Sequence, residues 1–234
     1  MDSLILTDTQ RSGAMNRLRE KESHEIRFHD YTSPVVTLIG RNEQKKFNIH
    51  RSLLCSHSKF FKEAFSGNFK ESAENTIRLP ENPILIESLV RWMYTTLGTQ
   101  DLSWEILLGL IVISDKYLID TLLDWAARRI LLEFTKKERD VLPMDDIGDA
   151  YNKLPCSNSF RSTLVALWVV EYDSLAALDE MLRYVNQEFL KEAIMILRRW
   201  SIDEICLSIA NAANNFGTDE EEYVLRPGFW YSST

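Results

Sequence analysis

Residues 35–39 (VVTLI) and 45–49 (KKFNI) are rich in strand-forming side chains and alternate between apolar and polar toward their ends, which predicts two short strands. Gly40-Arg41-Asn42-Glu43 between them supplies turn residues, making a hairpin the expected connection. The second strand runs out at His50. Two short helical segments, LLCSH and KFFKEAFSG, follow at once, with Ser52 and Ser58 as their expected N-caps. Gly67-Asn68 is expected to stop the second of them through a left-handed backbone. TIRL at 76–79 predicts a third short strand before Pro80.

From residue 82 the period changes to that of helices. Ile86, Leu89, Val90, Met93 and Leu97 form one stripe over 82–97, with Asn82 as cap and Pro83 at the first helical position. Ser103 is the expected cap of WEILLGLIVISDKYLI, which is apolar nearly all round and so predicted to be buried on several sides. Asp120 is the expected cap of TLLDWAARRILLEF, whose Leu122, Leu123, Ala126, Ile130 and Phe134 share a face. The charged stretch 135–144 ends at Pro143 and marks a boundary. Beyond it, helices are predicted over 144–154, 160–176, 178–200 and 201–213. The third keeps Leu178, Leu182, Val185, Phe189, Ala193, Ile196 and Trp200 at helical spacing, with a possible break at Asn186-Gln187. The expected division is a flexible N-terminal segment (1–29), a first domain (30–136), a helical domain (144–213) and an acidic disordered tail (214–234). A segment swapped across a dimer is the alternative reading of 1–29.

Charge narrows the function classes. The net charge is −8 over 234 residues. Residues 30–136 balance, with thirteen basic and thirteen acidic side chains, whereas 137–234 hold nine basic against seventeen acidic. A phosphate backbone needs a basic face and none is offered, so no nucleic acid is expected as a partner. No stretch approaches the ~20 apolar residues of a membrane-spanning helix, and no membrane partner is expected. The three cysteines, Cys55, Cys156 and Cys206, are widely spaced and odd in number, against a disulfide framework. An intracellular chain, cytoplasmic or nuclear, is the expectation.

The ordered series of motifs resembles the BTB/POZ family over roughly 33–134. It stands here as Phe47-Asn48-Ile49-His50, then Leu53, Leu54, Ser58, Phe61 and Phe65, then Gly67, Phe69, Glu71 and Ser72, closing on Trp92 and Tyr94. Pro34 stands where animal members usually carry an Asp near the dimer interface. SPVVTLIG and the later NQEFLKEAIMILRRW instead resemble a fungal subgroup of uncharacterised BTB proteins. The resemblance implies a BTB/POZ α/β fold of short strands with a helical cluster, followed by an all-α C-terminal domain. It implies protein partners, a homodimer or other oligomer, and in many members a cullin scaffold that makes the protein a substrate adaptor of a ubiquitin ligase. There a hydrophobic-x-Glu element after the second helix touches the scaffold, and Phe69-Lys70-Glu71 matches it. The alternatives are a Phe69 that packs back on the fold with Glu71 capping locally, and a self-assembling scaffold with no ligase link.

No catalytic, cofactor or metal site is expected. His50, Cys55 and His57 lie close in sequence but lack the fourth ligand of a structural zinc. Cys55 and His57 are two residues apart on a predicted helix and point to different sides. No G-x-S-x-G, phosphate-binding loop or dinucleotide fingerprint occurs. Five of the six tryptophans, Trp92, Trp104, Trp125, Trp168 and Trp200, fall in predicted helices and are expected in cores. The sixth lies in Phe229-Trp230-Tyr231, which is either a short docking peptide or a segment packed on the helical block.

Overall fold

The computed structural model describes residues 32–41, 45–67, 69–95, 102–136, 141–171 and 185–214. These form two compact units, one reaching Trp125 and one from Ala126 onward.

The first unit is built on a three-stranded sheet of β1 (Val35–Ile39), β2 (Lys46–His50) and β3 (Thr76–Arg78), in the order β2-β1-β3. The antiparallel β1–β2 register sets Val36 against Ile49 and Leu38 against Phe47. These four side chains are buried together. On the opposite face Thr37 pairs with Asn48, hydroxyl to amide oxygen at 3.1 Å. β3 runs parallel to β1, setting Ile77 beside Leu38. A parallel neighbour requires a crossover, and helices α1 (Arg51–His57), α2 (Lys59–Ser66) and α3 (Lys70–Glu74) provide it. Helices α4 (Pro83–Thr95) and α5 (Trp104–Lys116) pack on each other. Gly109 permits that approach, because a Cβ there would lie 3.0 Å from the Leu85 side chain.

Several predicted caps hold. Ser58 accepts from the Phe61 amide at 3.1 Å, Ser103 from Ile106 at 3.4 Å, and the Asn82 side chain from Ile84 at 3.0 Å. Ile86, Leu89 and Met93 are buried and Val90 is half-buried, while Leu97 lies outside the described residues. Other expectations need correction. Ser52 is not a cap: α1 begins at Arg51, directly after the strand, and the Ser52 hydroxyl instead donates to Ser33 Oγ at 2.7 Å. Asp120 is the first residue of α6 (Asp120–Phe134) rather than its cap, since the Leu122 and Leu123 amides donate to the Ile119 carbonyl. Gly67 ends α2 with an extended backbone (φ −91°, ψ −177°), not a left-handed one, and Asn68 lies outside the described residues. The left-handed positions are Asn75, at the end of α3, and Leu118, between α5 and α6.

In the second unit, α8 (Phe160–Glu171) is the central helix. It packs against α7 (Met144–Lys153), α9 (Gln187–Arg199) and α10 (Ile202–Asn214). Contact on several sides explains why Phe160 and every residue from Thr163 to Val170 are buried. The expected helix over 178–200 is not continuous to its end. Asn186 accepts from the Phe189 amide at 2.8 Å and starts α9 afresh, while Leu178 and Leu182 lie outside the described residues. Phe189, Ala193 and Ile196 are its inward stripe. Ser201 and Glu204 cap α10 reciprocally: the Ser201 amide donates to Glu204 Oε2 at 2.7 Å and the Glu204 amide donates to Ser201 Oγ at 3.3 Å. That hydrogen bonding holds the Glu204 carboxyl below its ordinary range. Among the described residues no helix is long and apolar enough to cross a membrane.

Candidate functional site: the exposed segment after α2

Phe69, Lys70 and Glu71 are positioned by a short chain of backbone contacts. Helix α2 is anchored at its start by Ser58, which is 1% exposed. Besides capping the helix, Ser58 donates its hydroxyl to the Tyr117 carbonyl at 2.6 Å. Phe61 and Phe65 carry the helix into the core and are both fully buried. Phe61 stacks on the Tyr117 ring at 5.1 Å, and Phe60 lies against the same ring. At the other end of α2 the Phe65 carbonyl is a shared acceptor. It takes hydrogen bonds from the Arg51 guanidinium and, at 2.8 Å, from the Ser72 hydroxyl. This closes the end of α2 onto α3 without a left-handed cap.

Phe69 is the N-cap of α3. Its extended backbone (φ −83°, ψ 160°) aims its carbonyl at the Ser72 and Ala73 amides, at 3.1 and 3.3 Å. Residues Lys70 and Glu71 therefore occupy the first helical turn. Asn75 ends the helix with a left-handed backbone, its amide donating to the Glu71 carbonyl. Its own carbonyl accepts from Thr37 on β1 at 2.9 Å. The element is thus held at one end by α2 and at the other by the central strand.

The Phe69 ring is 60% exposed. It does not return to the core, so the alternative in which it packs back on the fold is not what the side chain does. It does touch Gly67. A Cβ on Gly67 would fall 2.7 Å from two atoms of the ring, closer than real Cβ contacts come. The glycine is there for room beside an aromatic ring, not for backbone freedom. Lys70 pairs with Glu74 one turn on at 3.5 Å, with the Lys70 side chain 75% exposed. Glu71 is half-buried, and no ion pair is formed by it among the described residues. The result is an aromatic ring and a carboxylate presented together on a supported turn, an arrangement suited to a groove with a basic rim.

The other motif residues serve the frame. Phe47 and Leu54 are buried. The Tyr94 hydroxyl accepts from the His50 amide at 3.0 Å and meets His50 Nδ1 at 2.7 Å, tying α4 to the end of β2. His57 lies edge-on to Trp92. Cys55 is only half-buried, with its thiol 3.7 Å from the Phe61 carbonyl; burial pushes its pKa up. Among the described residues no group of His, Cys, Asp or Glu is arranged to hold a metal ion. Phe229, Trp230 and Tyr231 lie outside the described residues.

Tyr117 was not singled out from sequence, yet Ser58, Phe60 and Phe61 converge on it. Its hydroxyl donates to Glu81 at 2.5 Å, and Lys116 reaches the same carboxylate at 2.5 Å. Burial, then that hydrogen bond, drive its pKa far above the ordinary phenol value. Spacing could not reveal it, since the partners are 36 and 59 positions away.

Among curated proteins no match to the chain is found. The model of the BTB/POZ domain family matches residues 19–131. With its small mixed sheet and helical crossover, this chain has the BTB/POZ fold, that of a protein-interaction module, with an all-α region following it in sequence.

Proposed function

We propose that the protein is a non-enzymatic interaction protein whose BTB/POZ domain engages a cullin-type scaffold through Phe69, Lys70 and Glu71, making it a substrate adaptor of a ubiquitin ligase. The observation that carries this reading is the 60% exposure of Phe69 on a turn fixed at both ends, with the half-buried Glu71 beside it. A solvent-facing Phe is a cost to an isolated domain and becomes an anchor once a partner pocket covers it. In this reading residues 30–136 hold the scaffold, the helical domain 144–213 holds cargo, and the protein works inside the cell as a homodimer or hetero-oligomer. The subgroup it would fall in is the fungal one.

A second reading is a self-assembling scaffold with no ligase link. It is favoured by further exposed apolar side chains on the first unit: Val35 at 48%, Ile84 at 58% and Leu118 at 51%. Size-exclusion chromatography with light scattering, run with and without a BTB-binding cullin fragment, separates the two. The adaptor reading expects a mixed complex that Glu71→Lys removes. An oligomer of this chain alone, unchanged by the cullin fragment, would overturn it in favour of self-assembly.

A further inference from the structure

Helix α9 has a second apolar band besides the one it buries. Phe189, Ala193 and Ile196 face inward, and on the outer side Leu190, Ile194 and Leu197 follow at i, i+4 and i+7. Ile194 is 56% exposed and Leu197 49%, with Leu190 half-buried at the edge. Lys191 and Arg198, also seven apart, run alongside as a basic row, and neither makes an ion pair among the described residues. An apolar band rimmed by unmatched charge of one sign marks a surface that expects an occupant of the opposite sign.

We propose that the occupant is the chain's own C-terminal segment, residues 219–231. That segment opens with Asp219, Glu220, Glu221 and Glu222 and ends with Phe229-Trp230-Tyr231. It therefore supplies both things the α9 face lacks, a run of carboxylates for Lys191 and Arg198 and an aromatic cluster for the Ile194–Leu197 band. Pro227-Gly228 between the two parts is a turn-forming pair that lets them lie side by side. Reach is sufficient. Fourteen residues lie between Asn214, the last of α10, and Phe229, a link spanning up to ~50 Å when extended. Helix α9, with 13 residues, is only ~20 Å long. A second copy of α9 fits this face poorly, because symmetric pairing sets Lys191 and Arg198 against their own kind. A docked tail covers the face until a competing acidic, aromatic ligand displaces it.

Zero-length carbodiimide crosslinking of the full chain at low concentration, read by peptide mass spectrometry, tests this. The expected product joins Lys191 to a carboxylate of residues 219–222 within the monomer. The paired change Ile194→Ser with Leu197→Ser should lower its yield about tenfold, the decade that ~1.4 kcal/mol of lost binding produces. Both side chains are exposed, so an unchanged circular dichroism spectrum verifies the fold. No such crosslink, the crosslink found only in a dimer, or a yield indifferent to the paired change would each overturn the proposal.

Discussion

Replacing Ser58 by Ala removes two buried hydrogen bonds with one atom. The hydroxyl caps α2 by accepting from Phe61 at 3.1 Å and donates to the Tyr117 carbonyl at 2.6 Å, at a site only 1% exposed. Loss of an N-cap costs about 0.5–2 kcal/mol. A buried carbonyl left without its donor adds about 1–3 kcal/mol. The two overlap because one cavity serves both, so a total of ~2–4 kcal/mol is expected. For a chain of this size each kcal/mol lowers the melting temperature by about 2–4 °C, giving a fall of roughly 5–15 °C in the transition that contains the first unit. Differential scanning calorimetry reads it, with Ser66→Ala as the internal control. Ser66 also makes one hydrogen bond, to the Lys62 carbonyl at 2.6 Å, but it is exposed, and its loss should stay within about 0.5 kcal/mol. If the two substitutions shift the transition equally, Ser58 is not the joint between α2 and Tyr117, and the account of how the Phe69 turn is supported is wrong.

Gly67→Ala should leave stability within about 1 kcal/mol, since its φ of −91° suits alanine. Its Cβ must however displace the Phe69 ring, so binding of a cullin fragment should weaken while the melting curve barely moves. Arg161→Ala should destabilise the second unit by ~2–3 kcal/mol in urea melts. Its guanidinium is nearly buried, lies 3.9 Å from the Tyr151 ring centre, and donates to the Leu154 carbonyl and to Glu188. Burial chiefly, with the hydrogen bond to Glu192, pushes the Tyr151 hydroxyl up to about 12. The folded chain thus keeps a proton that the unfolded chain gives up near pH ~10. Stability from this group is complete below pH ~10 and declines as pH rises toward about 12. Urea melts across that range should show the decline, and Tyr151→Phe should make it shallower.

The strands and most helices were legible because each carries a local signal. Strand-type residues marked β1 and β2, and Ser58, Asn82 and Ser103 announced the helices after them. The misreadings share a cause. Ser52 and Asp120 are residue types that usually cap helices, but Ser33 takes the Ser52 hydroxyl and the Ile119 carbonyl starts α6; Gly67 does end α2, with an extended backbone beside the Phe69 ring where a left-handed one was expected. Helical spacing over 178–200 concealed the restart at Asn186 because the inward stripe of α9 continues the same period. Of the Phe69-Lys70-Glu71 turn, sequence revealed the residues but neither the helical turn that holds them nor the outward direction of the ring. Both depend on the Phe65 carbonyl, the Ser72 hydroxyl and β1, which no local pattern brings together.

Calorimetric titration of the folded chain with a BTB-binding cullin fragment, beside Phe69→Ala and Glu71→Lys, bears most directly on the central claim. The account predicts micromolar or tighter binding by the wild type. It also predicts a loss of at least ~30-fold for Phe69→Ala, the size of an interface anchor worth about 2 kcal/mol, loss of detectable binding for Glu71→Lys, and unchanged melting temperatures for both. A folded wild type that does not bind, or variants that bind as well as it does, would contradict it.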